Sequence, residues 1–515
     1  MYKKTIIKPN TYYDSVTLMS LGSKIKAVEG VKEAVVVMAT GMNKEILMNV
    51  GLGNEETEGA TQNDLIIAVE ARDEETCVEA HRMILDKLTK GSGQAGQEAE
   101  VEYKTIRHAV KDNRAANVAV ISVPGRYAAR EAKIALNSGL HVMMFSDNVS
   151  IEEERELKEL AVSKGLLMMG PDCGTAVINH TGLCFANEVR RGNIGVVGAS
   201  GTGLQEVIVQ IDRLGGGITQ ALGTGGRDLS REIGGLMMLH GIRALAKEPD
   251  TEIIVLVSKP PEQSVADKIF ELLDTLEKPV VVCFLEGDTA RDCREGVYLC
   301  DNLLDAARTA VELAGVAQDA GREEARAARL KEEIAGARGL LQPGQKSVRG
   351  LFCGGTLCAE ALFVLRGRLG RIRSNVSHRD GEKIDGKEAC RGSVLLDLGD
   401  DEFTNGRPHP MIEPSLRNGK IAEQGDDPEV GVILLDFELG YGSHGDPAGE
   451  TVPAIREARA RARAQGRELA VVGYICGTAA DKQDFAGQRA ALLAEGVILA
   501  ESNVEAAQTA ADILL

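Results

Sequence analysis

The segment that decides the fold reads Asn193-Ile194-Gly195-Val196-Val197-Gly198-Ala199-Ser200-Gly201-Thr202-Gly203. A short apolar run ends in a glycine-rich turn, and residues 204–213 then carry apolar side chains at helical spacing. This order of strand, glycine-rich turn and helix is typical of a parallel α/β sheet. Because a helix start offers unpaired backbone N–H groups and a partial positive charge, Ser200, Gly201, Thr202 and Gly203 are predicted to bind phosphate. The alternative is an ordinary βα turn in which a hydroxyl only caps the helix.

A second turn of the same kind lies in the last third of the chain. It reads Cys353-Gly354-Gly355-Thr356-Leu357, after an apolar strand and before a helical stretch. Two such turns in two α/β units predict two helix N-termini that face one anion. Gly354, Gly355 and Thr356 are therefore predicted as further phosphate ligands.

Strands and helices alternate along almost the whole chain, which predicts several Rossmann-like and flavodoxin-like parallel-sheet domains and a small N-terminal α/β domain. Gly91 to Gln97 is a linker by composition. The predicted divisions are a small N-terminal domain, a Rossmann-like domain, a further parallel-sheet domain, a helical connector and a flavodoxin-like domain: residues 1–100, 101–190, 191–316, 317–345 and 346–515.

Composition excludes several classes of partner. A net charge of −18, 3% aromatic residues and no tryptophan argue against nucleic acid. No run of about 18 apolar residues predicts a membrane span, and the N-terminus does not resemble a signal peptide. The ten cysteines form no CxxC pair, so we predict a cytoplasmic protein with reduced thiols and no metal site.

Two loops carry histidine and arginine. Residues 406–417 contain Arg407, His409 and Arg417, with prolines that flank the histidine, and residues 440–449 contain His444. Histidine suits acid–base work, and arginine can grip a carboxylate or phosphate with two hydrogen bonds. We predict catalytic histidines and substrate-binding arginines. The alternatives are a loop stiffened by proline and a solvated histidine.

Two further residues complete the predicted site. Cys173 follows a strand in Gly170-Pro171-Asp172-Cys173, at the edge of a parallel sheet where ligands usually bind, and is a third catalytic candidate. A buried small residue in a loop is an equally good interpretation of Cys173. Asn193, at the start of the strand that opens this section, is a candidate substrate contact.

These motifs resemble a known family. Residues 117–315 are similar to the α subunit of succinyl-CoA synthetase in four elements that occur in order: Val123-Pro124, Gly170-Pro171-Asp172-Cys173, Ser200-Gly201-Thr202 and Gly223-Thr224-Gly225-Gly226. Residues 346–515 resemble the carboxyl-terminal domain of its β subunit, with Gly354-Gly355 at the phosphate-facing helix. The resemblance implies that residues 101–190 form a CoA-binding-like domain and that residues 191–316 and 346–515 form ligase-like domains. It also implies that the two helix starts bind a phosphoryl group in transit, and it makes CoA a candidate cofactor, although no cofactor follows from the residues themselves.

The whole chain resembles FdrA-type proteins more closely still, through residues 396–401, 406–417 and 440–449. That resemblance implies a subunit of a hetero-oligomeric oxamate carbamoyltransferase in allantoin catabolism, which interconverts oxalurate plus phosphate with oxamate plus carbamoyl phosphate. The chain departs from succinyl-CoA synthetase where that enzyme carries its phosphorylated histidine, since residues 285–292 contain no histidine. The amino-terminal glycine-rich CoA loop and an ATP-grasp domain also have no counterpart.

Three functions stay open on the sequence alone. The first is the carbamoyltransferase subunit, with a small-molecule substrate. The second is an NDP-forming acyl-CoA synthetase that works with a separate nucleotide-binding subunit. The third is a non-catalytic subunit that senses an acyl-CoA or a phosphate compound, because fold alone does not specify function.

Overall fold

The computed structural model describes residues 1–9, 11, 13, 15–26, 28–90, 103–317, 320–384, 391–404 and 407–515. The chain forms two compact units, one of Met1–Glu102 with Thr404–Pro408 and one of Tyr103–Phe403 with His409–Leu515. The predicted linker Gly91–Gln97 lies outside the described residues. Among the described residues, no helix has the length and apolar character needed to cross a bilayer.

The N-terminal unit is a three-stranded antiparallel sheet with helices. The sheet order is β1-β3-β2, so β3 pairs with a strand on each side. All seven residues of β3 are buried as a result. The elements in chain order are β1 (Tyr2–Lys8), α1 (Ser15–Lys26), β2 (Val31–Met38), α2 (Gly41–Asn49), α3 (Glu55–Gly59), β3 (Leu65–Ala71) and α4 (Glu74–Lys90).

The second unit opens with a three-stranded parallel sheet of order β4-β5-β6. A capping box formed by Ser150 and Glu153 fixes the start of its second long helix. The elements are α5 (Ile106–Asp112), β4 (Val118–Ile121), α6 (Gly125–Asn137), β5 (His141–Met144), α7 (Ile151–Ser163) and β6 (Met168–Met169).

A seven-stranded sheet follows, with the order β13-β12-β11-β9-β10-β7-β8. Strands β9 to β13 are parallel, and the β7–β8 hairpin joins β10 in antiparallel fashion. The elements are β7 (Thr175–Ile178), β8 (Thr181–Cys184), β9 (Arg191–Gly198), α8 (Gly201–Arg213), β10 (Ile218–Gly223), α9 (Leu236–Lys247), β11 (Ile253–Ser258), α10 (Gln263–Leu273), β12 (Val280–Phe284), β13 (Val297–Cys300) and α11 (Leu303–Leu313). The hairpin thus belongs to this sheet, although it precedes residue 191.

The last sheet has six parallel strands in the order β15-β16-β14-β17-β18-β19. Helix α12 (Ala320–Leu340) precedes it, within the segment predicted as a helical connector. The remaining elements are β14 (Ser347–Phe352), α13 (Gly355–Leu369), β15 (Arg373–Ser374), β16 (Val394–Asp397), α14 (Asp401–Thr404), α15 (Ser415–Glu423), a 3₁₀ turn (Gln424–Asp426), β17 (Val430–Glu438), α16 (Pro447–Ala464), β18 (Ala470–Cys476), α17 (Phe485–Ala494), β19 (Ile498–Ala500) and α18 (Asn503–Leu514).

The two larger sheets share one hydrophobic core. Helices α8 and α11 from one side and α13 and α18 from the other contribute to a single buried cluster, with members such as Ile208, Ala307, Leu362 and Ala507. Burial of this apolar surface fixes the helices against one another. The architecture confirms the predicted fold class of parallel-sheet α/β domains with a small N-terminal domain.

Candidate functional site

The two glycine-rich turns meet. The hydroxyl oxygens of Ser200 and Thr356 lie 2.5 Å apart, and the backbone N–H of Thr356 donates to Oγ1 of Thr202 at 3.3 Å. Helix α8 begins at Gly201 and helix α13 begins at Gly355. The structure therefore brings the seven predicted phosphate ligands together at the junction of two helix N-termini, which we call the helix junction.

The helix junction carries free donors. Within the described part of the chain, the N–H groups of Gly201, Thr202, Gly355 and Leu357 donate to no protein acceptor. First-turn N–H groups have no partner inside their own helix, and their dipoles favour a negative charge. The junction can therefore bind an anion with backbone donors from both helices.

Glycine is required at this junction by close packing. A Cβ atom at Gly203 would lie 2.5 Å from Ser200 Oγ, and one at Gly354 would lie 2.9 Å from Thr202 Cγ2 and 3.0 Å from Glu438 Oε1. A Cβ atom at Gly355 would collide with Asp397 Oδ2. A side chain at any of these positions would force the neighbouring side chains to move.

A buried ion pair holds the backbone of the second turn in place. Asp436, in β17, accepts hydrogen bonds from the N–H groups of Cys353 and Gly354, and it forms an ion pair with Arg417 at 3.1 Å. Arg417 also donates to the carbonyl of Asp436 at 2.6 Å and to Cys353 Sγ at 3.0 Å. Its guanidinium is committed to this network, so the prediction that Arg417 holds a substrate carboxylate is not supported.

Three potential metal ligands lie beside this ion pair. The sulfur of Cys353 and one carboxylate oxygen each of Asp436 and Glu438 lie within 4.8 Å of one another. Arg417 contacts two of the three residues. Because a guanidinium already supplies the positive charge there, the cluster does not fit a metal ion.

Two other acids border the helix junction. Burial raises the pKa of Glu438 well above its usual range, and the neighbouring Asp436 raises it further. Burial also raises the pKa of Asp397 to about 7, although the positive charge of Lys259 opposes that shift. A neutral acid beside an anion site donates a hydrogen bond, whereas an ionised one repels the anion.

Lys259 is a residue that the sequence analysis missed. It is half-buried and follows the last residue of β11, next to the strand β9 that leads into the first turn. Its charge acts on Asp397 and on the thiol of Cys358. In the described part of the chain its ammonium group makes no ion pair or hydrogen bond. The signal that could have found it is a cation directly after a buried parallel strand.

Both predicted catalytic histidines lie in loops of the second unit that meet at Met411. His409 Nδ1 accepts the N–H of Met411 at 3.2 Å, and the N–H of His444 donates to the carbonyl of Met411 at 2.7 Å. His444 Nδ1 accepts the N–H of Asp446 at 3.1 Å. Because a backbone N–H only donates, each neutral ring carries its proton on Nε2. Burial lowers the pKa of His409 to about 4, so His409 is a neutral N–H donor.

The remaining predicted residues have other surroundings in the structure. Cys173 is buried with its sulfur 3.6 Å from the carbonyl of Thr175, and burial raises the pKa of its thiol to about 12, which favours packing over nucleophilic attack. Asn193 lies near the amino end of β9, opposite the edge that carries the first turn, and donates to Glu252. Arg407 falls in the segment that clusters with the N-terminal unit, where its N–H donates to Thr404.

The loop that replaces the phosphohistidine segment is tied to α13. Glu286 lies 3.0 Å from Arg366, on that helix, and 3.0 Å from Arg379. Residues 285–292 contain no histidine. The loop therefore offers carboxylates to neighbouring arginines and no imidazole for phosphorylation.

The first βα turn of the second unit does not fit the diphosphate of CoA. A Cβ atom at Gly125, the first residue of α6, would collide with the carbonyl oxygens of Asp147 and Asn148. These backbone carbonyls fill the space beside Gly125 and carry partial negative charge, which opposes a phosphate there. We derive no step through CoA at this place.

Family profiles match three parts of the chain. Residues 1–104 match the AllF heavy metal-associated domain, residues 189–287 match the CoA binding domain, and residues 351–513 match the CoA-ligase domain. The CoA binding match falls on the predicted first ligase-like domain, residues 191–316. The chain therefore combines parallel-sheet domains of the CoA-binding and CoA-ligase folds.

The relatives specify the family. The protein YahF of Escherichia coli (strain K12) is 49% identical over 509 residues, which cover 98% of this chain and 97% of YahF. The chain belongs to the YahF family. The subunit alpha of ADP-forming succinate–CoA ligase from Aquifex aeolicus (strain VF5) is 27% identical over 223 residues, 42% of this chain and 70% of that protein. A solved structure of ATP citrate lyase from Methanothrix soehngenii has a TM-score of 0.35 at 18% identity and covers 42% of each chain.

The cysteine of the N-terminal unit does not present an accessible thiolate. The sequence has one cysteine within residues 1–104, Cys77, which is buried and whose sulfur lies 3.6 Å from the carbonyl of Val69. Burial raises the pKa of this thiol. A soft metal is bound by accessible thiolates, which Cys77 does not offer, so this thiol does not fit such a metal.

Proposed function

We propose that this chain is the phosphate-binding subunit of a carbamoyltransferase that interconverts oxalurate plus phosphate with oxamate plus carbamoyl phosphate. The observation that carries the proposal is the helix junction, where Ser200 and Thr356 touch and free N–H groups from two helices lie side by side. The resemblance to FdrA-type proteins supplies the substrates. Partner subunits and a cytoplasmic location are part of the proposal.

The chemistry at the junction rests on position and charge. The N–H groups of Gly201, Thr202 and Gly355 would hold the phosphoryl oxygens, and the two helix dipoles would stabilise the charge that develops on them. Carbamoyl phosphate is already activated, so no phosphohistidine is needed. This accounts for a loop 285–292 without histidine.

The substrate carboxylate needs a cation. Arg417 is committed to Asp436, whereas Lys259 makes no ion pair with the described residues. Lys259 directly follows β11, which pairs with the strand β9 that leads into the first turn. We assign Lys259 to the charge of the oxamate or the phosphoryl group. His409, as a neutral N–H donor, would contribute a hydrogen bond rather than accept a proton.

Carbamoyl phosphate formation from oxalurate and phosphate tests the proposal. The full chain is assayed alone and together with the products of its neighbouring genes, as wild type, Ser200→Ala and His409→Ala. Ser163→Ala is the matched control, because Ser163 is an exposed serine that donates only to Leu160 within its own helix. We expect product that falls at least tenfold in the two site variants and is unchanged in the control. No product in any combination would contradict the proposal.

An NDP-forming acyl-CoA ligase subunit is the second candidate. It is favoured by the similarity to the alpha subunit of succinate–CoA ligase and by the CoA-ligase match over residues 351–513. This function requires a phosphorylated histidine, so acid-labile label on histidine after incubation with ATP and a nucleotide-binding subunit would support it. Phosphate-dependent stabilisation without turnover by either route would instead indicate a sensing subunit.

A further inference from the structure

Glu438 is a buried acid at the helix junction that the mechanism above does not use. It is the last residue of β17, with 3% of its surface exposed. Its Oε1 atom is buried and, within the described residues, has no hydrogen-bond partner. A buried polar oxygen without a partner costs free energy unless a ligand or water satisfies it.

The unpartnered oxygen points to the N-terminus of α13. Oε1 lies 3.0 Å from the place that a Cβ atom of Gly354 would take, and Thr202 Cγ2, on α8, lies 2.9 Å from the same place. Gly354 is the residue that precedes the first turn of α13. Glu438 therefore reaches the point at which both helices begin.

The surroundings of Glu438 decide its protonation state. Asp436, on the same strand, accepts from Cys353, Gly354 and Arg417, so the charge of the only nearby guanidinium among the described residues is already matched by a carboxylate. Two carboxylates that share one buried site do not both ionise. Glu438 thus holds the proton, in agreement with the upward direction of its pKa, to which burial, the charge of Asp436 and a hydrogen bond between the two carboxyl groups contribute.

We propose that Glu438 exchanges this proton with the phosphoryl group bound at the helix junction, which makes it the acid–base residue of the reaction. This inference rests on the proposed function. Toward oxalurate, the oxamate amide nitrogen bonds to the carbamoyl carbon while the bond between that carbon and the phosphate oxygen breaks. The electron pair stays on that oxygen, which takes the proton of Glu438. The proton lost by the nitrogen returns to the Glu438 carboxylate, so the products are oxalurate and hydrogen phosphate.

Two substitutions separate a proton-transfer role from a structural one. Glu438→Gln keeps shape and a hydrogen-bond donor but holds no transferable proton. Glu360→Gln is the matched control, because Glu360, on α13, is also a buried acid and burial raises its pKa to about 8. Unlike Oε1 of Glu438, both oxygens of Glu360 accept hydrogen bonds, from Leu303 and from Asn503. Glu438→Asp shortens the acid and keeps its proton, as a second variant should Glu438→Gln fold poorly.

The experiment has a readout that does not depend on turnover. Inorganic phosphate is added to the full chain, and the infrared difference spectrum is recorded in the region of protonated carboxyl groups. We expect a carboxyl band that shifts in the wild type and in Glu360→Gln, is absent in Glu438→Gln and returns in Glu438→Asp. Where carbamoyl phosphate forms, Glu438→Gln should lower the rate about 100-fold or more and bind phosphate within about threefold of the wild type.

The outcomes keep the two proposals apart. A phosphate-sensitive band from Glu438 without carbamoyl phosphate formation would support Glu438 as a protonated acid at the helix junction. The same result would contradict the proposed carbamoyl transfer. A band that persists in Glu438→Gln, or a rate unchanged by that substitution, would overturn the role of Glu438. A wild-type chain that does not bind phosphate would overturn it as well.

Discussion

The two helix starts at the junction look alike in sequence but differ in their surroundings. Helix α8 is capped by its own Ser200, which accepts from Gly203 N–H at 2.9 Å, and it presents hydroxyl groups. Helix α13 follows Gly354 without a side-chain cap and is bordered by Asp397, Asp436 and Glu438. One start is lined by neutral donors and the other by buried acids.

The difference teaches that a glycine-rich turn alone does not make an anion site symmetric. The first turn attracts an anion through N–H and O–H groups, whereas the second does so only while its acids are neutral or paired. The predictions below test this contrast, from the largest expected effect to the smallest.

Loss of Arg417 should damage the acidic side most. Arg417→Met leaves Asp436 as an unpaired charge in the core, which we expect to lower the free energy of unfolding by ~3–5 kcal/mol. Chemical denaturation measures this. Arg456→Met, which breaks an exposed ion pair with Glu495, is the control and should change stability little. Equal effects in the two variants would mean that the buried pair does not support the second turn.

A single methyl group at the second turn should disrupt packing. Gly355→Ala places a Cβ atom against Asp397 Oδ2 and should lower the free energy of unfolding by ~1–3 kcal/mol. The same substitution should also weaken phosphate binding. Gly367→Ala lies in the same helix, where no described residue comes within 4 Å of the new methyl, and should stabilise the fold by ~0.5–1 kcal/mol. Thermal unfolding with and without phosphate compares them. Stabilisation in both variants would show that the close approach at Gly355 is not tight.

Lys259 should matter for anion affinity and not for folding. Lys259→Met should raise the dissociation constant for phosphate about tenfold, equivalent to ~1.4 kcal/mol, with little change in melting temperature. Lys268→Met is the matched control, because it removes an exposed lysine from α10, the helix that follows β11 and Lys259. Calorimetric titration measures both. An unchanged constant in Lys259→Met would remove Lys259 from the site.

The acids should make phosphate binding depend on pH. The pKa of Asp397 is raised from 3.8 to about 7, so between those values the folded chain holds more protons than the unfolded chain and stability falls as pH rises. Above pH 7 the ionised carboxylate also opposes an anion. Asp397→Asn should therefore flatten the stability profile between pH 3.8 and about 7, and it should flatten the loss of phosphate affinity across pH 6–8. Profiles that stay parallel to the wild type would place the titrating group elsewhere.

The parallel sheets and both turns could be predicted from the sequence, because local strand–turn–helix patterns encode them. The helix predicted after the turn at Ser200 agrees with the structure. The hairpin Thr175–Cys184 was missed, since its four-residue strands carry little periodicity and pair with a strand far along the chain.

The chemistry of the acidic side could not be predicted from the sequence. Asp397, Asp436 and Glu438 occupy the ends of apolar strands, where they pass as strand residues. The pairing of Asp436 with Arg417 depends on tertiary contacts between a strand and a helix, so Arg417 passes as a free substrate ligand. Lys259 shows the same limit, because its role depends on what the neighbouring strand carries.

Phosphate affinity in a double-mutant cycle of Ser200→Ala and Thr356→Val tests the central claim most directly. The two hydroxyls touch at 2.5 Å across the helix junction, so they should act on one bound anion. We predict that each single variant weakens phosphate binding and that the double variant is little weaker than the worse single variant, because coupled neighbours are not additive. Strictly additive effects, or no effect of either substitution, would show that the two helix N-termini do not share a phosphoryl group.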